Sequence, residues 1–200
     1  MPRLLLATNN AGKVLELRQL LEGCGWEIVT PADLGLKLDV EEVGQTYAEN
    51  ATIKANAFAE ASGLVTLADD SGLEVDALDG RPGVQSARYA GPDRTDRERV
   101  EKLLGELAGV PDERRTARFR AVIAIVEPGG RTELVEGTVE GRIAHEPRGA
   151  SGFGYDPVFL LPARGLTTAE LSADEKQAVS HRGVAARKAR DVLERWLREA

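Results

Sequence analysis

A chain of 200 residues is long enough to bury a substantial core, and 42% hydrophobic with 30% charged residues is ordinary for a globular protein. A net charge of −7 argues against broad electrostatic binding to DNA or RNA, although a small polyanion needs only a few converging cations. One cysteine cannot form an intrachain disulfide, and the apolar start from Leu4 to Ala7 is too short for a signal peptide or a membrane span. We therefore expect a cytoplasmic protein with no nucleic-acid or membrane partner.

Short apolar runs alternate with helical periodicity through the first half of the chain. The pattern predicts a strand over 3–8, a helix through the apolar positions of 14–24, a strand over 26–30 and an acidic loop over 33–45. A capping box at Thr46 and Glu49 then opens a helix that ends near residue 63. Beyond it we predict strands over 65–69 and 73–78 around a turn at Ser71-Gly72, a loop over 79–91 and a charged helix over 95–107.

The second half begins with a hairpin pattern. Strand-like arms over 117–126 and 132–143 flank Pro128-Gly129-Gly130. A glycine-rich loop over 145–156, a strand over 158–161, a short capped helix over 172–179 and a final helix after Ser180 follow. This order predicts an α/β fold over residues 1–200: one domain of two lobes, with a mixed sheet, a long hairpin, flanking helices and an active-site cleft between the lobes.

A candidate phosphate site lies between the first strand and the first helix. Its residues are Thr8, Asn9, Asn10, Ala11, Gly12 and Lys13. Backbone N–H groups at a helix N-terminus bind phosphate, and a lysine in the first turn is opposed by the helix dipole unless an anion is near. The spacing is not that of a P-loop, because Ala7 and Val14 occupy positions where that motif needs glycine and Ser/Thr. A solvated lysine after an Asn N-cap explains the same pattern.

Two pairs of acidic residues are candidates for a metal site. Glu41 and Glu42 lie in the acidic loop, and Asp69 and Asp70 precede the Ser71-Gly72 turn. Mg²⁺ is commonly held by one or two carboxylates together with substrate phosphates. Neighbouring strand residues point to opposite faces, so we expect one aspartate to face the cleft and the other to anchor the turn. Ordinary surface acids at an Asx-type turn are the alternative.

A glycine-rich segment with two aromatic residues is a candidate base-binding loop. It contains Phe153, Gly154, Tyr155 and Asp156, and it allows a flat ligand to approach the backbone while the carboxylate accepts a base N–H. The alternative is a plain glycine turn with Phe153 in the core. Arg182, in the first turn of the last helix, could stack on a purine.

Together these segments resemble the inosine triphosphate pyrophosphatase family, the XTP/dITP diphosphatases. The resemblance covers nearly the whole chain in the same order, through residues 5–13, 46–51, 68–73, 82–89, 152–157 and 180–182. It implies a two-lobed α/β homodimer that requires Mg²⁺.

The resemblance also implies roles for individual residues. Thr8, Asn10, Lys13 and Lys54 would bind the triphosphate, and Ser71 would contact the substrate. Glu42 and Asp70 would hold Mg²⁺, with Asp70 also the catalytic base for the attacking water. The base pocket would consist of Phe153, Gly154, Tyr155, Asp156, Lys176, His181 and Arg182.

The implied activity is hydrolysis of deaminated purine nucleoside triphosphates (ITP, dITP, XTP) to the monophosphate and pyrophosphate, which removes them from the nucleotide pool. Two alternatives stay open. One is a Maf-like pyrophosphatase acting on pyrimidine triphosphates, which the loop over 153–156 together with Ser180, His181 and Arg182 argues against. The other is a nucleotide-binding regulator without turnover, which the carboxylates and lysines argue against.

Overall fold

The computed structural model describes residues 1–199. Its helices are α1 (Ala11–Leu20), α2 (Tyr47–Ser62), α3 (Asp96–Glu106), α4 (Ala173–Val179) and α5 (His181–Glu199). Its strands are β1 (Arg3–Leu6), β2 (Glu27–Val29), β3 (Val65–Val75), β4 (Thr116–Val126), β5 (Thr132–Ile143), β6 (Phe159–Leu161) and β7 (Leu166–Thr167). None of these helices combines the length and the apolar character needed to cross a membrane.

The strands form one mixed sheet in the order β2-β1-β3-β4-β5-β6-β7. β1 runs parallel to both of its neighbours, so that Leu4 lies opposite Ile28 on β2 and Val65 on β3. At the other end of the order, β6 is antiparallel to β5 and to β7. The predicted α/β fold with a mixed sheet, flanking helices and a long hairpin is confirmed, whereas the cleft stays a prediction.

The strand β3 corrects one prediction. We expected two strands separated by a turn at Ser71-Gly72, but the backbone is extended without a break from Val65 to Val75. The turn preference of an Asp-Ser-Gly sequence is overridden because β3 is paired on both edges, with β1 and β4. Asp69 and Asp70 therefore lie within a strand and not at its end.

Local capping interactions set where the helices begin. The capping boxes predicted at Thr46 with Glu49 and at Ser172 with Glu175 are both present. Glu49 thus has the structural role that its position predicted. α1 begins at Ala11, before its first apolar periodic residue, because the Asn10 side chain accepts a hydrogen bond from the Lys13 N–H.

The chain forms two compact units, of which unit 1 comprises residues 1–70, 121–137 and the residues from Arg182 onward. Alternate residues of β1 face opposite ways, as strand geometry requires. Leu4 and Leu6 pack in one cluster with residues of α1 and α5, whereas Leu5 packs in a second cluster with residues of α2. In unit 1 the sheet is therefore covered by helices on both faces, and β1 is apolar throughout.

Unit 2 comprises residues 71–120 and 138–181. Its core joins residues of α3, such as Leu103, to the aromatic residues Phe119, Tyr155 and Phe159. Arg115 is buried there and donates to backbone carbonyl groups, including that of Leu107 at 2.9 Å and that of Ile143 at 2.8 Å. These bonds connect the end of α3 to the end of β5.

Candidate functional site

The predicted phosphate-binding residues lie where β1 leads into α1 in unit 1. Thr8 Oγ1 accepts from the Asn10 N–H at 3.2 Å, and Asn10 Oδ1 accepts from the Lys13 N–H at 3.0 Å. Asn9, Asn10 and Ala11 are exposed, whereas Thr8, Gly12 and Lys13 are half-buried. The segment has the exposed helix N-terminus that a phosphate site requires.

Lys13 already has an anionic partner within the protein. Its Nζ lies 3.4 Å from Asp69 Oδ2 and donates to the Asp69 carbonyl oxygen at 3.2 Å. Burial lowers the pKa of Lys13, Asp69 acts in the opposite direction, and Arg182 and Lys54 lower it further. Asp69 therefore supplies the negative charge that a lysine in the first helical turn requires.

Arg182 is buried in unit 1, with 2% of its surface exposed. Its Nε donates to Asp69 Oδ2 at 3.1 Å and its Nη1 to Glu16 Oε2 at 2.6 Å. Burial lowers the pKa of Arg182, but Asp69 and Glu16 outweigh burial and raise it above the usual value. The guanidinium is thus held by two carboxylates, and its contact with a purine stays a prediction.

Glu16 is a residue that the sequence analysis missed. It lies three residues after Lys13 on α1, and residues at this spacing lie on the same face of a helix. Its partner Arg182 is 166 positions away in sequence, and local patterns contain no information about such a pair.

Lys54 and Glu42 form an ion pair in unit 1, with Lys54 on α2 and Glu42 in the preceding loop. Asp70 is 6% exposed, and burial raises its pKa to about 6. Lys13 and Lys54 lower the pKa of Asp70, whereas Glu42 raises it, so these four charges lie close enough to influence one another. The structure therefore brings together four of the residues that were predicted to bind the triphosphate and the metal.

The two residues of each acidic pair, Glu41 with Glu42 and Asp69 with Asp70, lie in different surroundings. Asp69 bridges Lys13 and Arg182, whereas Asp70 shares its electrostatic surroundings with Glu42. Glu41 is exposed. These placements favour Glu42 and Asp70 over their neighbours as metal-binding carboxylates.

Two carboxylates fit a Mg²⁺ ion that takes its remaining ligands from substrate and water. Mg²⁺ prefers oxygen ligands and is often held by only one or two protein carboxylates plus phosphates. Within residues 1–199, no cluster of three or more His, Cys, Asp or Glu side chains is placed to hold a metal. The residues present suit a metal that is bound together with the nucleotide.

In unit 2, Asp156 organises the glycine-rich loop from inside. Asp156 is 3% exposed. Its Oδ2 accepts hydrogen bonds from Lys176 Nζ at 2.6 Å and from the Phe153 N–H at 2.9 Å. Its Oδ1 accepts a hydrogen bond from Thr168 Oγ1 at 2.9 Å. The loop fits around this carboxylate so closely that a Cβ on Gly152 would lie 2.1 Å from Oδ2. Internal donors thus occupy the carboxylate that we expected to accept a base N–H.

The two aromatic residues of this loop differ in placement. Phe153 is half-buried, and its ring centroid lies 4.9 Å from Lys176 Nζ. Tyr155 lies in the core of unit 2, where its hydroxyl donates to the Ser86 carbonyl oxygen at 2.8 Å. Phe153 is therefore the aromatic ring placed beside a cation, and the ring of Tyr155 is a packing group. The Gly154 N–H donates to Asp96 Oδ2 at 2.7 Å.

Two further predicted residues also belong to unit 2. His181 is 6% exposed, and its ring stacks on Phe119 with the centroids 4.7 Å apart. Ser71 is half-buried within β3. His181 thus has a packing role within unit 2, and substrate contacts of both residues stay predictions.

Comparisons with known proteins agree with the motifs. Residues 4–192 match the model of the Ham1 family. The chain is 49% identical over 194 residues to the dITP/XTP pyrophosphatase of Bacillus subtilis (strain 168), covering 97% of this chain and 98% of the relative. It is 53% identical over 193 residues to the dITP/XTP pyrophosphatase of Desulforamulus reducens, covering 96% of each.

Solved structures show the same fold. The Staphylococcus aureus Ham1 protein superposes with a TM-score of 0.86 at 40% identity, over 96% of this chain and 98% of that one. A HAM1 protein from Coxiella burnetii superposes with a TM-score of 0.88 at 43% identity, over the full length of both chains. The family model matches nearly the whole chain, the relatives are about half identical to it, and the solved structures share its fold. This chain is therefore a member of the Ham1 family.

Proposed function

We propose that this chain hydrolyses deaminated purine nucleoside triphosphates, such as ITP, dITP and XTP, to the monophosphate and pyrophosphate. The observation that carries the proposal is the group of Lys13, Lys54, Glu42 and Asp70, whose charges lie close together in unit 1. Two lysines suit a polyphosphate, and two carboxylates suit the metal that accompanies it. The name shared by the relatives, dITP/XTP pyrophosphatase, supports the same substrate class.

The chemistry follows from charge. A triphosphate resists a nucleophile because its oxygens are negative, and fixed cations lower that barrier by stabilising the charge that develops on the leaving pyrophosphate. Lys13 and Lys54 provide two such cations. In the metal-free protein burial raises the pKa of Asp70 to about 6. Asp70 is therefore ionised at neutral pH, as a base for the attacking water must be.

Glu42 and Asp70 would hold Mg²⁺. Such an ion, when bound, neutralises phosphate oxygens and orients them. The protein's own contribution is to keep two carboxylates and two ammonium groups in a partly desolvated place, where their charges act strongly.

Base selectivity is assigned to Lys176 and Phe153, with Asp156 as the group that orients them. The Lys176 ammonium is fixed by Asp156 and lies over the Phe153 ring, 4.9 Å from its centroid. A purine held at the edge of that ring would present its 6-position to a donor. A 6-oxo purine accepts this hydrogen bond, whereas the 6-amino group of adenine does not. A polar mismatch of this kind can reduce kcat/KM by about 10⁴-fold or more.

Homodimer formation, a cytoplasmic location and the absence of nucleic-acid partners stay predictions from the resemblance and from the composition.

Product analysis tests the proposal. ITP and Mg²⁺ incubated with the protein should yield inosine monophosphate and pyrophosphate in equal amounts, and Asp70→Asn should yield neither. Because pyrophosphate is the leaving group, water attacks the α-phosphorus, and in ¹⁸O-labelled water the label should appear in inosine monophosphate and not in pyrophosphate. Inosine diphosphate with inorganic phosphate would contradict the proposed bond cleavage, and binding without any product would favour the regulator.

A further inference from the structure

The acidic loop that carries Glu42 is attached to helix α2 by the capping carboxylate of Glu49, which accepts from the Gln45 N–H at 2.7 Å, and by one buried amide. Asn50 is the fourth residue of α2, at the end of its first turn, and is 1% exposed. Its Oδ1 accepts a hydrogen bond from the Gly44 N–H at 2.8 Å. The bond connects the loop to the helix only two residues after Glu42.

The contact is close on both sides. A Cβ on residue 44 would lie 2.6 Å from Asn50 Oδ1 and 2.7 Å from Glu49 Cβ, so only glycine lets the loop backbone approach the helix this closely. The amide and the glycine are therefore complementary parts of one junction.

The NH₂ group of the Asn50 side chain shows which atom of the amide matters at this position. Among residues 1–199, its buried Nδ2 has no hydrogen-bond partner. An unsatisfied buried donor is unfavourable, so an apolar side chain of similar size would pack at lower cost. What the amide offers at this position is the acceptor oxygen that holds Gly44.

A further contact attaches the same loop to the same helix. Lys54 is one turn after Asn50, on the same face of α2, and pairs with Glu42. That ion pair must weaken when Lys54 turns to a phosphate and Glu42 to a cation. The Gly44–Asn50 hydrogen bond involves no ionised group, and it can persist through this exchange.

We propose that Asn50 is a positioning residue: it holds the loop over 41–45 so that the Glu42 carboxylate is fixed where a divalent cation is bound. The inference rests on the proposed function, which makes Glu42 a metal ligand. In this role Asn50 acts through Glu42 and not through a ligand bond of its own. Its effect is to make the Glu42 position independent of the Lys54 ion pair.

Mn²⁺ titrated to millimolar concentrations, once alone and once with a non-hydrolysable inosine triphosphate analogue and its protein-free blank, tests this without turnover. The readout is the loss of the free-ion electron paramagnetic resonance signal. We expect Glu42→Gln to weaken the Mn²⁺ affinity strongly and Asn50→Ala to weaken it about tenfold. Asn50→Asp keeps an acceptor oxygen for the Gly44 N–H and adds a negative charge, so it should bind Mn²⁺ more tightly than Asn50→Ala. Asn56→Ala, an exposed position on the same helix, is the matched control and should leave the affinity unchanged.

Gly44→Ala tests the junction from the other side. Its methyl group displaces the loop while leaving Asn50 intact, so it should also weaken Mn²⁺ binding about tenfold, and it decides the question if Asn50→Ala does not fold. In turnover assays Asn50→Ala and Gly44→Ala should each raise the Mg²⁺ concentration for half-maximal activity about tenfold. Their kcat at saturating Mg²⁺ should stay within about threefold of the wild-type value. A purely structural role would lower the melting temperature and leave the half-saturating metal concentration unchanged.

The outcomes separate this inference from the proposed function. If Glu42→Gln binds Mn²⁺ like the wild type, the assignment of Glu42 as a ligand is wrong and the inference falls with it. If Glu42→Gln weakens binding but Asn50→Ala and Gly44→Ala do not, the ligand assignment stands and the positioning role of Asn50 is overturned.

Discussion

Two adjacent aspartates in one strand have different surroundings because neighbouring strand residues face opposite ways. Asp69 is bound by Lys13 and Arg182. Burial raises the pKa of Asp70 to about 6 from a usual value near 3.8, although Lys13 and Lys54 act in the opposite direction. Asp69 is therefore an organising carboxylate for two cations, and Asp70 is the one suited to chemistry.

Asp70→Asn should abolish turnover and stabilise the metal-free protein. A carboxylate whose folded pKa is raised opposes folding when it is ionised, so the destabilisation is full above about pH 6 and disappears as the pH falls toward 4. Removing the charge should add on the order of 1–3 kcal/mol at pH 7.5, which is several degrees of melting temperature for a chain of this size.

Thermal unfolding in EDTA at pH 7.5 and at pH 4.5 measures this, and the gain should be clearly larger at pH 7.5. An equal loss of stability at both pH values, or near-normal activity, would contradict the assignment of Asp70 and direct attention to Asp69.

Lys13→Ala should raise KM for ITP about tenfold or more with little loss of stability. Lys13 is desolvated, which offsets its attraction to Asp69, and Asp69 keeps Arg182 as a partner when the lysine is removed. Steady-state kinetics and melting temperatures of Lys13→Ala and of the exposed control Lys37→Ala check this. Unfolding of Lys13→Ala with an unchanged affinity would make Lys13 a structural residue.

At the scale of elements, the glycine-rich loop and α4 are joined through one carboxylate. Asp156 binds the Phe153 N–H within the loop and the Lys176 ammonium on α4. Selectivity should therefore depend on the whole loop conformation and not on a single contact with the base.

Gly152→Ala should lower the ratio of kcat/KM for ITP to that for ATP at least tenfold. Gly152 has a φ of +78°, and its added methyl group would displace Asp156 Oδ2. Gly165→Ala is the matched control, because Gly165 has a φ of +66° but nothing within 4 Å of the added Cβ. Both variants should lose about 1 kcal/mol through backbone strain. An unchanged ratio in Gly152→Ala would mean that the base is read elsewhere.

Local patterns predicted those elements whose causes are local. The hairpin of β4 and β5 and the capping boxes at Thr46 and Ser172 are determined by residues within a few positions of one another. The prediction of a turn within β3 was wrong because pairing on both edges of that strand, a tertiary effect, outweighs the turn preference of its residues.

The same distinction applies to the site. The sequence motifs indicated candidate charged and aromatic residues, but not the partners of these residues in the folded protein. Thr168 and Lys176 are 12 and 20 positions from Asp156, and Glu16 is 166 positions from Arg182. Only the tertiary structure shows that internal donors occupy Asp156 and internal acceptors occupy Arg182.

At the scale of the whole molecule, the sheet and the helices are held together by apolar clusters. Two carboxylates, Glu42 and Asp70, do not form a protein cage for Mg²⁺, so the ion should matter for catalysis and not for folding. EDTA should abolish turnover, millimolar-range Mg²⁺ should restore it, and the melting temperature of the nucleotide-free protein should be the same in both. Full activity in EDTA, or unfolding by the chelator, would contradict this.

The most direct measurement is kcat/KM for pyrophosphate release across a panel of triphosphates, namely ITP, dITP and XTP against ATP, GTP, CTP and UTP, with Mg²⁺ at neutral pH. We predict that the three deaminated purine nucleotides exceed ATP by about 10³-fold or more. In the proposed base site, Lys176, which Asp156 orients, would meet an acceptor on a 6-oxo purine and an amino group on adenine. A preference for CTP or UTP would favour the Maf-like alternative. Equal values for ITP and ATP would contradict the assignment of deaminated purine nucleotides as the substrates.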